Sequence, residues 1–174
     1  MPKNNSYFIA ITISEPLNTE IETIKRKISA EYKTKSVLKS PPHITIVPPF
    51  FWSNEEELIT TVKQFSFPEF TIELNGFSTF SIGVVFIDVK NNVQMDQLHI
   101  SFSDVFFRAY PQLKKKPLFP FHPHITIGNR DWKKEQFNKC WNEMSAKEFK
   151  ESFSYKGLTL LKNVDGLWIS LFSV

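Results

Sequence analysis

Pro42-His43-Ile44-Thr45-Ile46 and Pro123-His124-Ile125-Thr126-Ile127 are the same five residues, set 81 positions apart in one chain. On a β-strand, side chains alternate between faces, so His43 and Thr45 point one way while Ile44 and Ile46 point the other. His124 and Thr126 stand against Ile125 and Ile127 in the same way. Each segment therefore buries isoleucine and presents an imidazole and a hydroxyl. Pro42 and Pro123 remove a ladder donor, which a strand tolerates at its first position or on a sheet edge. If the two polar faces meet, the cleft between them holds two imidazoles and two hydroxyls in a symmetric array. That set suits in-line displacement at a phosphodiester. One group takes a proton from the attacking oxygen, a second delivers one to the leaving oxygen, and hydroxyls donate to the non-bridging oxygens. Histidine, with an ordinary pKa near ~6.5, can fill either proton-transfer role near neutrality.

A single H-x-T is a weak signal. A third triplet of this kind, His99-Ile100-Ser101, falls on a helical pattern and is read as a decoy. No metal and no cofactor is expected. The chain has no H-E-x-x-H and no clustered carboxylate pair, and its one cysteine, Cys140, is too little for a cysteine-based zinc site or an internal disulfide.

The elements that must position these residues follow from periodicity. Residues 6–13 and 43–47 read as strands, and Leu17–Tyr32 carries helical spacing at Leu17, Ile21, Ile24 and Ile28. Asn54 caps a helix through about Gln64, with Glu55–Glu57 in its first turn, where acidic groups suit the helix dipole. Residues 70–80 and 83–90 form two strands, and Asn91 or Asn92 caps a helix that uses Val93, Leu98, Phe102, Val105 and Phe106. After a basic, proline-punctuated loop at 111–123, residues 124–128 form a strand. Asp131 is placed as the cap of a helix to about Met144, and two strands near 149–162 and 166–173 close the chain. The order is β, then α–β–α–β–β twice. Gly76 and Gly157 share the 81-residue spacing of the histidines, which supports an internal repeat over roughly 17–90 and 92–174. With no Gly- or Ser-rich linker between the halves, the reading is a single α+β domain of two pseudo-symmetric lobes spanning 1–174.

The net charge of +3 permits an anionic ligand but is no footprint for a long nucleic-acid duplex. No apolar run approaches the ~18 residues of a membrane span, and the first residues lack an apolar leader. The expectation is a cytoplasmic monomer without a membrane partner. Eighteen phenylalanines point to an aromatic interior.

The paired His43-Ile44-Thr45 and His124-Ile125-Thr126 resemble the two signature motifs of the two-histidine (2H) phosphoesterase superfamily, which includes the LigT-like enzymes named 2′-5′ RNA ligases. The resemblance covers nearly the whole chain through its length, motif separation and two-lobed order. It implies two lobes of antiparallel sheet with helices on the outer faces and a cleft lined by both motifs. It also implies that His43 and His124 are the catalytic acid/base pair, in either polarity, and that Thr45 and Thr126 bind phosphate. Substrates implied are RNA ends or small nucleotides with a 2′,3′-cyclic phosphate or a 2′-5′ linkage, with hydrolysis favoured over ligation. Relatives often carry an arginine five residues after the second histidine. Here Asn129 holds that place and Arg130 follows, so Arg130 is the candidate phosphate ligand.

Further candidates lie beside the motifs. Of Phe50, Phe51 and Trp52, Trp52 is the choice for stacking on a base, with core filling the ordinary role of the others. Lys114–Lys116 could steer an RNA end, although such runs are usually only solvated. His122 is read as a supporting loop residue and Cys140 as core. The competing function is a non-catalytic nucleotide-binding or sensor module on the same fold, but binding alone needs no acid opposite a base.

Overall fold

The structure, a computed structural model, describes residues 5–80, 83–114, 119–129 and 131–173. In chain order the elements are β1 (Asn5–Thr12), α1 (Leu17–Tyr32), β2 (His43–Trp52), α2 (Glu55–Gln64), β3 (Thr71–Phe80), β4 (Val84–Val89), α3 (Val93–Ala109), β5 (His124–Gly128), α4 (Lys134–Met144), β6 (Lys150–Ser154), β7 (Thr159–Val164) and β8 (Leu167–Ser173). The caps act as their chemistry dictates. The Asn54 side chain accepts from the Glu57 amide, and the Asn92 side chain accepts from the amides of Gln94 and Met95. Leu17, Ile21 and Ile28 form the buried stripe of α1.

Three local expectations are corrected. On α3 the buried stripe is Met95, Leu98, Phe102 and Phe106, whereas Val93 and Val105 are 71% and 44% exposed. The stretch 149–162 is two strands rather than one, and β6 and β7 lie in different sheets. Asp131 does not cap α4, a place taken by Lys133.

The eight strands form two antiparallel sheets, ordered β2-β1-β7-β8 and β5-β4-β3-β6. Neither sheet comes from one half of the sequence. The first unites β1 and β2 with the C-terminal β7 and β8, and the second places β3 and β4 between β5 and β6. The two sheets are nonetheless built alike. In the first, His43, Ile44 and Thr45 pair with Thr12, Ile11 and Ala10; in the second, His124, Ile125 and Thr126 pair with Asp88, Ile87 and Phe86. Each histidine strand occupies an edge of its sheet, the position a preceding proline tolerates.

One face of the sheets joins the helices in the main core. Ile9, Ile11, Ile44, Ile46, Ile87, Ile125 and Leu160 lie there with Ile21, Leu58, Phe102 and Phe137. On the other face of the first sheet, Phe8, Ala10 and Leu161 make a small separate cluster covered in part by Trp168. This division is the pleat's alternation written in three dimensions. Cys140 is fully buried in the main core, as read from its helical spacing. Among the described residues, no helix is long and apolar enough to cross a membrane.

Asp131 instead fastens the approach to β2 onto the segment that follows β5. Its carboxylate accepts from the amides of Lys35 and Ser36, each at 2.7 Å, from Ser36 Oγ at 2.9 Å and from Thr34 Oγ1. The segment is set there because Gly128 lets Trp132 close over the end of β5. A Cβ on Gly128 would lie 2.3 Å from the indole, whose Nε1–H donates to Gly83 O at 2.9 Å. Partial burial works against the charged carboxyl, but the bonds from Thr34, Lys35 and Ser36 hold Asp131 down to about 2. The stability they give is therefore full above the ordinary carboxylate range and is lost as pH falls through about 2. Asp131→Ala is expected to lower stability by about 1–2 kcal/mol in urea denaturation at pH 7, the carboxylate being solvent-exposed. An unchanged midpoint would show the clamp to be energetically idle.

Candidate active site

β2 and β5 contact each other. This brings His43 and His124 near enough for positive charge on His124 to depress the His43 pKa. His43, Thr45, His124 and Thr126 are all half-buried, while the isoleucines between them are buried. No described residue hydrogen-bonds the Thr45 or Thr126 hydroxyl, and both stand on the faces of their histidines.

The two imidazoles are held identically. His43 Nδ1 lies 2.7 Å from Pro41 O, and His124 Nδ1 lies 2.7 Å from His122 O. A carbonyl oxygen only accepts, so in each ring Nδ1 carries the proton and donates it to the backbone two residues upstream. That fixes the tautomer and leaves Nε2 as the group free to exchange protons. Aromatic rings wall both sites. Phe8 packs on His43 with centroids 4.7 Å apart, and Phe80 and Phe86 lie 4.8 and 5.0 Å from His124. Burial, reinforced by the charges of Lys25 and His124, pushes His43 down to about 4 against a weaker upward pull from the Pro41 bond. Burial also lowers His124, with the His122 bond and Asp88 opposing it.

The remaining candidates separate. Trp52 sits at the far end of β2, about 30 Å along an extended strand from His43. There it packs edge-on against Tyr110 at 5.0 Å and donates from Nε1 to Glu57 at 3.3 Å. It cannot reach a base at the histidines. Phe50 is core and Phe51 is 65% exposed. The indole on the histidine face is Trp168 of β8, which meets Phe8 edge-on at 4.7 Å, so that His43, Phe8 and Trp168 form one aromatic row. Its strand is apolar on both faces, so alternation gave no sign of which face it shared. His99 stacks flat on Phe121 at 3.8 Å, apart from that row. His122 is 51% exposed and its Nε2 lies 3.0 Å from Asp88 Oδ1, which fits the supporting role read for it. Lys114 is exposed, while Arg130, Lys115 and Lys116 lie outside the described residues. Among the described residues, no group of three or more His, Cys, Asp or Glu side chains is placed to hold a metal ion.

Sequence reading also missed Lys25. It continues the spacing Leu17, Ile21, Lys25, Ile28 on the buried stripe of α1, and that position was the available signal.

The His43 shift carries a stability consequence. The unfolded imidazole takes up its proton near ~6.5 and the folded one near about 4, so the folded state loses ground as pH falls through that window. Melting temperature is expected to decline from pH 6.5 to 4, and less steeply in His43→Gln. Parallel curves for the two proteins would show that His43 titrates normally in the fold.

Comparison with known proteins places the family and the fold. The sequence model of the 2′-5′ RNA ligase superfamily matches residues 13–167. A protein of Geobacillus kaustophilus provisionally named a phosphoesterase is 28% identical over 115 residues, 62% of this chain and 62% of that one. A Geobacillus thermodenitrificans protein with a similar name is 33% identical over 95 residues, 51% of each. The chain thus matches less than two thirds of the length of these curated relatives. Among solved structures, a Thermus thermophilus protein superposes with a TM-score of 0.67 at 17% identity, covering 96% of this chain and 95% of that one. Escherichia coli LigT complexed with 3′-AMP gives 0.65 at 18% identity, covering 99% and 98%. The fold is therefore LigT-like, and the chain belongs to the 2′-5′ RNA ligase superfamily.

Proposed function

We propose that the chain is a metal-independent phosphodiesterase that hydrolyses 2′,3′-cyclic phosphates or 2′-5′ linkages at RNA ends or on small nucleotides. The observation that carries the reading is the pair of half-buried histidines on adjoining edge strands, each with Nδ1–H tied to a backbone carbonyl and Nε2 left for proton transfer. Binding a nucleotide needs no such matched pair; displacement at phosphorus does. Two findings support the substrate class. LigT is known in complexes with 3′-AMP, ATP and NADP+, and the Geobacillus relatives bear phosphoesterase names.

In this reading, one imidazole takes a proton from the attacking water as its oxygen bonds to phosphorus. The opposite imidazole delivers a proton to the departing ribose oxygen as the P–O bond breaks. Thr45 and Thr126 donate to the non-bridging oxygens, where negative charge persists through the reaction. The half-buried setting strengthens these bonds relative to water. Trp168, backed by Phe8, is the surface for the base. In dilute water, mass action favours hydrolysis over ligation.

Turnover of 2′,3′-cyclic nucleotides is expected in the presence of EDTA. His43→Ala and His124→Ala should each lower kcat/KM by about 10²–10⁴. Nucleotide binding without turnover by the wild type would instead identify a binding module. Trp168→Ala is expected to raise KM about tenfold and leave kcat within about threefold, since stacking contributes ~1–3 kcal/mol per base. An unaltered KM would remove Trp168 from the site.

A further inference from the structure

The two histidines share a fold but not their electrostatic surroundings. Behind His43, the Lys25 ammonium is 1% exposed and donates to Ser40 O at 2.5 Å. The next residue, Pro41, supplies the carbonyl that holds His43 Nδ1. Glu22, 4.0 Å away, is the carboxylate partner of Lys25. Beside His124 the nearby charge is an anion. Asp88 is the direct cross-strand neighbour of His124 and bonds His122 Nε2, and His122 supplies the carbonyl that holds His124 Nδ1. Thr12, uncharged, is the equivalent neighbour of His43. A cation thus backs one carbonyl clamp and an anion the other.

Burying an ammonium costs stability, and desolvation brings Lys25 down to about 8, which still leaves it charged at neutral pH. An apolar side chain would fill this position on the α1 stripe at lower cost, so packing does not account for a lysine there. Its ammonium holds Ser40 O, next to the clamp carbonyl, and acts on the His43 imidazole. Among the described residues, the charged groups acting on His43 are Lys25 from α1 and His124 from β5, both disfavouring its protonation. Those acting on His124 are His122, which disfavours protonation, and Asp88 from β4, which favours it.

Building on the proposed function, we propose that Lys25 and Asp88 are positioning residues that fix the polarity of the pair, with His43 as general base and His124 as general acid. Water then attacks phosphorus as its proton passes to His43 Nε2. The P–O bond to the ribose breaks as the proton of His124 Nε2 passes to the departing oxygen. Exchange with solvent returns both rings to their starting states. The pseudo-symmetric cleft would therefore run hydrolysis in one direction across the phosphorus.

Two measurements test this. Histidine Cε1–H titrations by NMR, without substrate, should show His43 protonating at lower pH than His124. Lys25→Met should raise the His43 midpoint while Lys25→Arg keeps it, and Asp88→Asn should lower the His124 midpoint. The reverse order, or a His43 midpoint unmoved by Lys25→Met, overturns the proposal. The second measurement compares a 2′,3′-cyclic nucleotide with a nucleoside 4-nitrophenyl phosphodiester, whose leaving group needs no acid. His124→Ala should lose at least a hundredfold on the first and under tenfold on the second, whereas His43→Ala should lose at least a hundredfold on both. The opposite pattern in an otherwise active enzyme overturns the polarity alone. A wild type that turns over neither substrate overturns the proposed function, and the polarity with it.

Discussion

Everything at the paired histidines depends on the alternation of side chains along two edge strands, β2 and β5. Because the pleat sends neighbours to opposite faces, the same five residues can anchor a strand and arm it. Ile44, Ile46, Ile125 and Ile127 are almost wholly buried in the helical core, and this burial fixes the register of both strands. A slip of one residue would send the imidazoles into the core and the isoleucines to the opposite, half-buried face. Hydrophobic burial on one face thereby holds the polar geometry on the other.

Backbone carbonyls complete the arrangement. Each histidine donates Nδ1–H to the residue two positions before it, so the chain that delivers the strand also orients the ring. The proline between donor and acceptor, Pro42 or Pro123, has a fixed φ that limits the freedom of the clamp. Aromatic rings supply the walls: Phe8 for one imidazole and Phe80 and Phe86 for the other. The setting lowers both histidines from the ordinary range, chiefly by taking water away from them.

The two sheets repeat a plan without repeating its charges. His43 lies across from Thr12 and ahead of a buried lysine, while His124 lies across from Asp88 and shares it with His122. A chemically symmetric site would be indifferent to which side of phosphorus is attacked. The contact between the two like-built edge strands brings the histidines together, and the departures from likeness would supply a direction. The contact between β2 and β5 joins the two unlike halves of the site.

Local signals were legible in the sequence wherever they act over a few residues. The bounds of α1, the Asn54 cap, the strands bearing the histidines and the division of each motif into an apolar and a polar face all follow from periods of 2 and 3.6. The burial of Cys140 followed from the same reasoning. Asp131 was misread because a carboxylate before a helix looks like a cap, while its partners lie nearly a hundred residues earlier. Trp52 was chosen among the aromatics after the first motif for a similar reason, since adjacency along the chain stood in for adjacency in space, and its ring packs on Tyr110 instead. The sequence by itself determined which residues could do the chemistry and which way each strand must turn them. Only the tertiary structure decided which strands pair and which charges stand behind each histidine. Those contacts close long loops, and their choice rests on packing of the whole core, which no local pattern encodes.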